Sequence, residues 1–198
     1  LAAAAHPRRV LVLGGGDGLL AAQVLGHPDV AEVTVVDLDP DVTDLFRDHP
    51  RLAELNGHAL SDPRVTVVND DAVRFLETTV ERYDVILMDL PDPNDDALSR
   101  LYSEGVFALA QRRLMEGGAL ATQATSPFYA ADAFWCIVRT IEAATEGAVV
   151  PRQVHPYHAH VPSFGEWGFV LVTRHGVEPG ALPTQPRARF LDEDAMAG

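Results

Sequence analysis

Apolar and polar positions along this chain alternate between two periods. Short unbroken apolar runs occupy residues 10–13, 32–38, 65–69, 83–89 and 119–123, and most end at Gly, Asp or Asn. Runs of that length, rich in Val, Leu and Ile, are the mark of strands buried on both faces of a parallel sheet. Between them lie stretches with helical spacing, over 19–25, 40–49, 72–82 and 103–115, the last read as stopped by Gly117 and Gly118. A longer apolar stripe starting near Pro127 passes through Phe134, Trp135, Ile137, Val138 and Ile141, and reads as core-facing helix. Strand alternating with helix predicts a doubly wound α/β sheet. Two last strands, at 149–154 and 169–173, are expected to pair antiparallel at one edge, joined by a lid loop rich in His, Pro, Gly and aromatic residues. Residues 1–173 form the expected domain, and the Pro-rich, charged residues 174–198 a loose tail. The chain starts at Leu1 and reaches its first strand within ten residues, which predicts a piece of a longer protein.

The strand at 10–13 breaks into Gly14, Gly15, Gly16, Asp17 and Gly18 before the next helix. Strand, glycine turn and helix make a nucleoside- or phosphate-binding corner. The spacing departs from a dinucleotide fingerprint, because Leu19 stands where the third glycine belongs. Asp17 would repel a pyrophosphate. It suits a cationic ligand such as the sulfonium and amine of an S-adenosylmethionine-type molecule, with a dinucleotide as the alternative.

Further carboxylates close the later strands. Asp37, twenty-three residues after Gly14, has the spacing of a ribose acceptor, whereas Asp39 before Pro40 reads as a helix cap. Of Asp70 and Asp71, one is expected to cap the following helix and the other to face the crevice, where Asp71 could accept from an adenine amine. The fourth strand ends in D-L-P-D-P, residues 89–93, where two prolines stiffen the turn and aim Asp89 and Asp92 into one cleft.

Composition narrows the ligand. The net charge is −14, and all fifteen basic residues are arginine. Such a surface repels nucleic acid and draws cations. The single cysteine, Cys136, excludes a disulfide frame and reads as a buried thiol. His155, His158 and His160 lack a Cys or carboxylate partner that completes a metal-ligand set, so no metal is expected. No apolar run is long enough to span a membrane.

Taken together, G-G-G-D-G (14–18), V-V-D-L-D (35–39), D-D-A (70–72) and D-L-P-D-P (89–93) resemble the catalytic domain of the polyamine aminopropyltransferases, the spermidine and spermine synthase family. Y-S-E-G-V-F (102–107), T-Q-A (122–124) and V-P-S-F-G-E-W-G-F (161–169) extend the likeness over about residues 8–173. Q-A-T-S-P-F-Y (123–129) and F-W-C-I-V (134–138) are closest to the bacterial branch whose members carry membrane-spanning helices ahead of this domain.

The resemblance implies an S-adenosylmethionine-methyltransferase-like sheet and decarboxylated S-adenosylmethionine as aminopropyl donor, a co-substrate with no tightly bound cofactor beside it. Gly14, Gly16, Asp17 and Gly18 would line the donor, with Asp17 near its amine. Asp37 and Leu38 would hold the ribose side, and Asp71 and Ala72 the adenine. Asp89 would be the acid/base group, and Asp92, Tyr102 and Phe164 would line the acceptor amine. It implies a cationic small-molecule partner, a homodimer, and a cytoplasmic site that a missing segment would tether to the membrane. Asp70 replaces a usual glycine, D-L-P-D-P loses the two hydroxyls of D-S-S-D-P, and Phe164 replaces a lid tyrosine. The family's amino-terminal β-hairpin region is absent from this chain, so the segment alone is expected to lack part of the pocket. Two other readings share these motifs: a small-molecule methyltransferase, and a non-catalytic polyamine- or nucleoside-binding domain.

Overall fold

The computed structural model describes residues 1–177 apart from 5, 147, 149, 163 and 175. In chain order the elements are β1 (Arg9–Gly14), α1 (Leu19–Leu25), β2 (Glu32–Asp37), α2 (Pro40–Asp48), α3 (Pro50–Leu55), β3 (Val65–Asn69) and α4 (Ala72–Thr78). They continue as β4 (Tyr83–Asp89), α5 (Asp96–Ser99), α6 (Glu104–Arg112), β5 (Leu114–Gln123), α7 (Ala131–Glu146), β6 (Arg152–Val161) and β7 (Gly165–Arg174). One sheet of seven strands runs β3-β2-β1-β4-β5-β7-β6. Strands β1 to β5 are mutually parallel, and β7 pairs antiparallel with both β5 and β6. The expected mostly parallel sheet with an antiparallel edge pair is therefore present.

Strand alternation builds the core on both faces. Leu11 and Leu13 of β1, with Ile86, Met88 and Leu120, pack under Leu76, Phe107, Phe134, Val138 and Ile141 from α4, α6 and α7. Val10 and Val12, with Val33, Val35 and Val85, pack on the other side against Ala21 and Val24 of α1. Both layers are sealed from water, which is why β1 reads as an unbroken apolar run.

Three expectations about elements change. The stretch read as a lid loop is a long β-hairpin: β6 starts at Arg152 and runs to Val161, and β7 already begins at Gly165. Helix α6 ends at Arg112, and Gly118, read as its stop, lies inside β5, where a Cβ would meet the Asp84 carbonyl oxygen at 2.8 Å. Helix α7 starts at Ala131, beyond Pro127, and Cys136 on it is exposed, not buried. Val149, Ser163 and the expected tail from residue 178 onward lie outside the described residues. No helix among the described residues is long and apolar enough to cross a membrane.

Candidate functional site

The strand order reverses between β1 and β4, so the crevice at their carboxyl ends is the place where a sheet of this kind holds a ligand. Gly14, the last residue of β1, sits opposite Asp89, the last of β4. Gly14 has φ +83°, and a Cβ there would stand 2.0 Å from the Asp89 carbonyl oxygen. Only glycine lets the two strand ends come this close. Gly16 is packed as tightly against Asp37, where a Cβ would lie 2.6 Å from the carboxyl carbon. Its N–H donates to Asp37 Oδ2 at 2.8 Å, and the Asp39 N–H donates to Oδ1 at 3.0 Å. The tip of β2 is thereby clamped to the glycine loop.

Asp17 is fixed from both ends. Its Oδ1 accepts from the Leu19 N–H at 2.9 Å, and its carbonyl accepts from Asn56 Nδ2 at 2.9 Å. Asn56 is buried, also donates to the Phe46 carbonyl, and accepts from the Ala59 N–H. It holds the loop from beneath, and Gly18 rests on it, since a Cβ at 18 would lie 2.8 Å from Asn56 Nδ2. Nothing in the sequence marked Asn56, because the two carbonyls it joins are ten and thirty-nine positions away.

Asp17, Asp37 and Asp89 share the crevice. Asp89 is an exposed residue, but its carboxyl loses part of its hydration in the crevice, and this desolvation raises its pKa above the ordinary aspartate value; the charges of Asp17 and Asp37 raise it further. Asp92 follows on the proline-flanked turn, with Oδ1 accepting from Gln123 Nε2 at 3.0 Å. Buried Tyr102 donates its hydroxyl to the Leu90 carbonyl at 3.1 Å and accepts from Gln123 Nε2 at 2.6 Å. Burial and then the charge of Asp92 push that hydroxyl's pKa up. Among the described residues none of Asp17, Asp37, Asp89 and Asp92 is in an ion pair.

The remaining predicted residues are less uniform. Asp71 takes the capping role: Oδ1 accepts from the Val73 and Arg74 N–H groups, and Oδ2 is held by Arg100 at 2.7 Å. Asp70, the other half of that pair, binds Arg74 instead. Asp39 caps α2 as expected. Ala72 opens α4 half-buried against the core, and Leu38 projects from the tip of β2 with 72% of its surface open. Phe164 is exposed in the β6–β7 turn, edge-on to Trp167 with ring centres 5.4 Å apart. His158 and His160 both meet Glu166 across the hairpin, at 2.9 and 3.1 Å, while His155, on the opposite face of β6, meets buried Thr173 at 3.0 Å. Among the described residues no group of three His, Cys, Asp or Glu side chains is placed to hold a metal ion. Sequence reasoning missed Gln123 and Trp167 as site residues, although T-Q-A and E-W-G were noted as motifs.

The Spermine/spermidine synthase domain matches residues 1–178. Polyamine aminopropyltransferase 2 of Ralstonia nicotianae is 47% identical over 193 residues, covering 94% of this chain and 36% of that protein. The polyamine aminopropyltransferase of Oceanobacillus iheyensis is 44% identical, covering 96% of this chain and 36% of its own length. This chain thus spans about a third of the curated relatives it matches. A spermidine synthase crystallised with the transition-state analogue AdoDATO has the same fold, with TM-score 0.81 at 21% identity over 98% of this chain and 66% of that one. A spermidine synthase from Thermotoga maritima superposes with TM-score 0.78, also at 21% identity, over 98% of this chain and 65% of that one. With the glycine-lined switch point, the strand-tip carboxylates and the match along nearly the whole chain, this protein belongs to the spermine/spermidine synthase family.

Proposed function

We propose that this domain transfers an aminopropyl group from decarboxylated S-adenosylmethionine to a diamine of the putrescine kind. One observation carries the reading: four carboxylates, Asp17, Asp37, Asp89 and Asp92, gather at the switch point, none ion-paired among the described residues. Unpaired carboxylates in one crevice are costly unless the ligand brings the opposite charge. The donor brings a sulfonium and an ammonium, and a diamine brings up to two ammonium groups.

In this reading Asp37 accepts from the ribose hydroxyls through lone pairs left over by its two backbone partners. Asp71 Oδ2 turns from Arg100 to the adenine amine, with Ala72 and Leu38 beside the base. Asp17 faces the donor's propylamine. Asp92 pairs with one end of the acceptor, and Tyr102 and Phe164 flank its chain. The other nitrogen attacks the aminopropyl carbon bonded to sulfur. The new C–N bond forms as the C–S bond breaks, and the bonding pair stays on sulfur, leaving neutral methylthioadenosine. The attacking nitrogen must be unprotonated, whereas free alkylamines titrate near ~10. Asp89 takes that proton, and a carboxyl whose pKa is raised holds it better than an ordinary one. Alignment of nitrogen, carbon and sulfur supplies much of the rate. The same negative field disfavours the carboxylate of ordinary S-adenosylmethionine, which separates this chemistry from methyl transfer.

The test is incubation of the whole protein with decarboxylated S-adenosylmethionine and a diamine panel, read by mass spectrometry, with calorimetry on both nucleosides. Aminopropylated product and preference for the decarboxylated nucleoside are expected. Tighter binding of the carboxylated nucleoside favours a methyltransferase, and binding of nucleoside and amine without transfer favours a non-catalytic binding domain.

A further inference from the structure

The carboxamide of Gln123 is held from two sides by groups that can act in only one sense. The Trp167 indole N–H and the Thr125 backbone N–H converge on its Oε1, at 3.1 and 3.0 Å. Both are donors and nothing else, so the oxygen end is fixed by chemistry and the amide cannot turn over. Its Nε2 must then face the Leu90 carbonyl at 2.9 Å, Asp92 Oδ1 at 3.0 Å and the Tyr102 hydroxyl at 2.6 Å.

The holding side is itself firmly made. Thr125 sits at φ +59°, a conformation β-branched residues avoid, and this turns its N–H toward Gln123. The chain is pinned there by reciprocal backbone bonds between residues 124–125 and Gly168, at 2.7 and 2.8 Å. Gly168 is packed so closely that a Cβ would meet Phe134 at 2.5 Å and the Thr125 carbonyl oxygen at 2.7 Å. Asp92, by contrast, lies on a turn outside regular structure, and Gln123 is the only side chain bonded to its carboxylate among the described residues.

We propose that Trp167 is a positioning residue: acting through Gln123, it orients the Asp92 carboxylate, so that Oδ1 is held by protein and Oδ2 is presented to the acceptor ammonium. This rests on the reading of Asp92 as the acceptor's partner. The β6–β7 hairpin thereby enters the site through one indole N–H, and Phe164, edge-on to Trp167, braces the ring.

Two substitutions test this in the whole protein. Trp167→Phe keeps the ring and removes the donor; Gln123→Glu keeps the shape and sets a carboxylate against Asp92. Loss of one neutral hydrogen bond predicts a rise of about fivefold in the diamine KM for Trp167→Phe, and like charges predict at least about tenfold for Gln123→Glu. The donor dissociation constant should stay within about twofold in both. NMR reads the link without turnover: exchange of the Gln123 side-chain N–H protons should speed up about fivefold in Trp167→Phe. Unchanged exchange, or faster exchange with an unchanged diamine KM, overturns the proposal. So does a donor affinity that falls in step with the diamine's, which is what a general loss of structure does. If Trp167→Phe unfolds, Gln123→Glu decides by the same diamine-against-donor comparison. If the wild type makes no product yet Trp167→Phe weakens diamine binding in calorimetry, the positioning role stands and the transfer reading falls. A wild type that binds no diamine overturns both.

Discussion

Replacing Gly14 by Ala sets the whole corner against itself. The new methyl group would lie 2.0 Å from the Asp89 carbonyl oxygen and 2.9 Å from its carbon, so the two strand ends must part by about 1 Å. The positive φ of +83° adds the left-handed cost of an L-residue, about 1–2 kcal/mol. Forcing a methyl into a closed contact adds roughly 1–3 kcal/mol. The sum, about 2–5 kcal/mol, predicts a melting point lower by roughly 6–15 °C for a domain of this size. Gly57→Ala is the control, because Gly57 also has positive φ (+61°) but open space around it. It costs only the left-handed term, about 1 kcal/mol. The difference between the two variants isolates the close approach. Because Asp89 moves with its carbonyl, transfer by Gly14→Ala should also fall about a hundredfold at saturating substrates, the usual effect of a 1 Å displacement of a reacting group. The assays are guanidinium unfolding and the mass-spectrometric turnover assay. Equal stability losses at 14 and 57, with turnover within about twofold of wild type, refute the argument that the β1–β4 contact sets Asp89.

Asp89→Asn should slow transfer roughly 10²–10⁴-fold in stopped assays while nucleoside affinity from calorimetry stays within a few fold. Its pH behaviour has a definite sign. The Asp89 pKa is raised in the fold, so the rate should fall as pH drops through a value higher than that of an ordinary aspartate, and that limb disappears in the Asn variant. A raised carboxyl stabilises the fold only where it is protonated. Thermal scans should therefore find Asp89→Asn melting higher than wild type at pH 7, with the gap closing in acid. Asn56→Ala leaves the Asp17 and Phe46 carbonyls without their partner and should cost about 1–3 kcal/mol in denaturant unfolding, with weaker nucleoside binding. Arg100→Ala releases Asp71 Oδ2 from an exposed ion pair worth at most about 1 kcal/mol. Calorimetry should show the adenine nucleoside binding up to about fivefold tighter, with stability nearly unchanged.

The corner at β1 was legible because every local signal there agrees: an apolar run buried on both sheet faces, a glycine turn, a helix, and acidic residues at strand ends. Asp39 was legible for the same reason, since a cap acts on N–H groups two residues away. The antiparallel edge pair was legible too, but the length of its hairpin was not. Residues of β6 are half-buried or exposed throughout, so no strong apolar alternation marks the strand, and its His and Pro content suggests a loop. Gly117 and Gly118 looked like a helix stop, but Gly118 is needed where β5 passes the Asp84 carbonyl. That requirement belongs to a neighbouring strand thirty-odd residues away. The Trp167–Gln123 bond spans 44 positions and depends on the β5–β7 register, which periodicity within either strand leaves open. Asp89 and Asp92 could be named from their turn, whereas the side chain bonded to Asp92 comes from β5 and is held in turn from β7.

Among the described residues strand β6 is outermost in the sheet, and its outer side would offer a ten-residue ladder to any extended chain. Pro156 interrupts that ladder midway. Proline has no amide hydrogen, so an incoming strand would meet a missing donor at the centre of its footprint. The hairpin can therefore be long enough to carry Trp167 to Gln123 without becoming a template on which copies of the protein stack edge to edge.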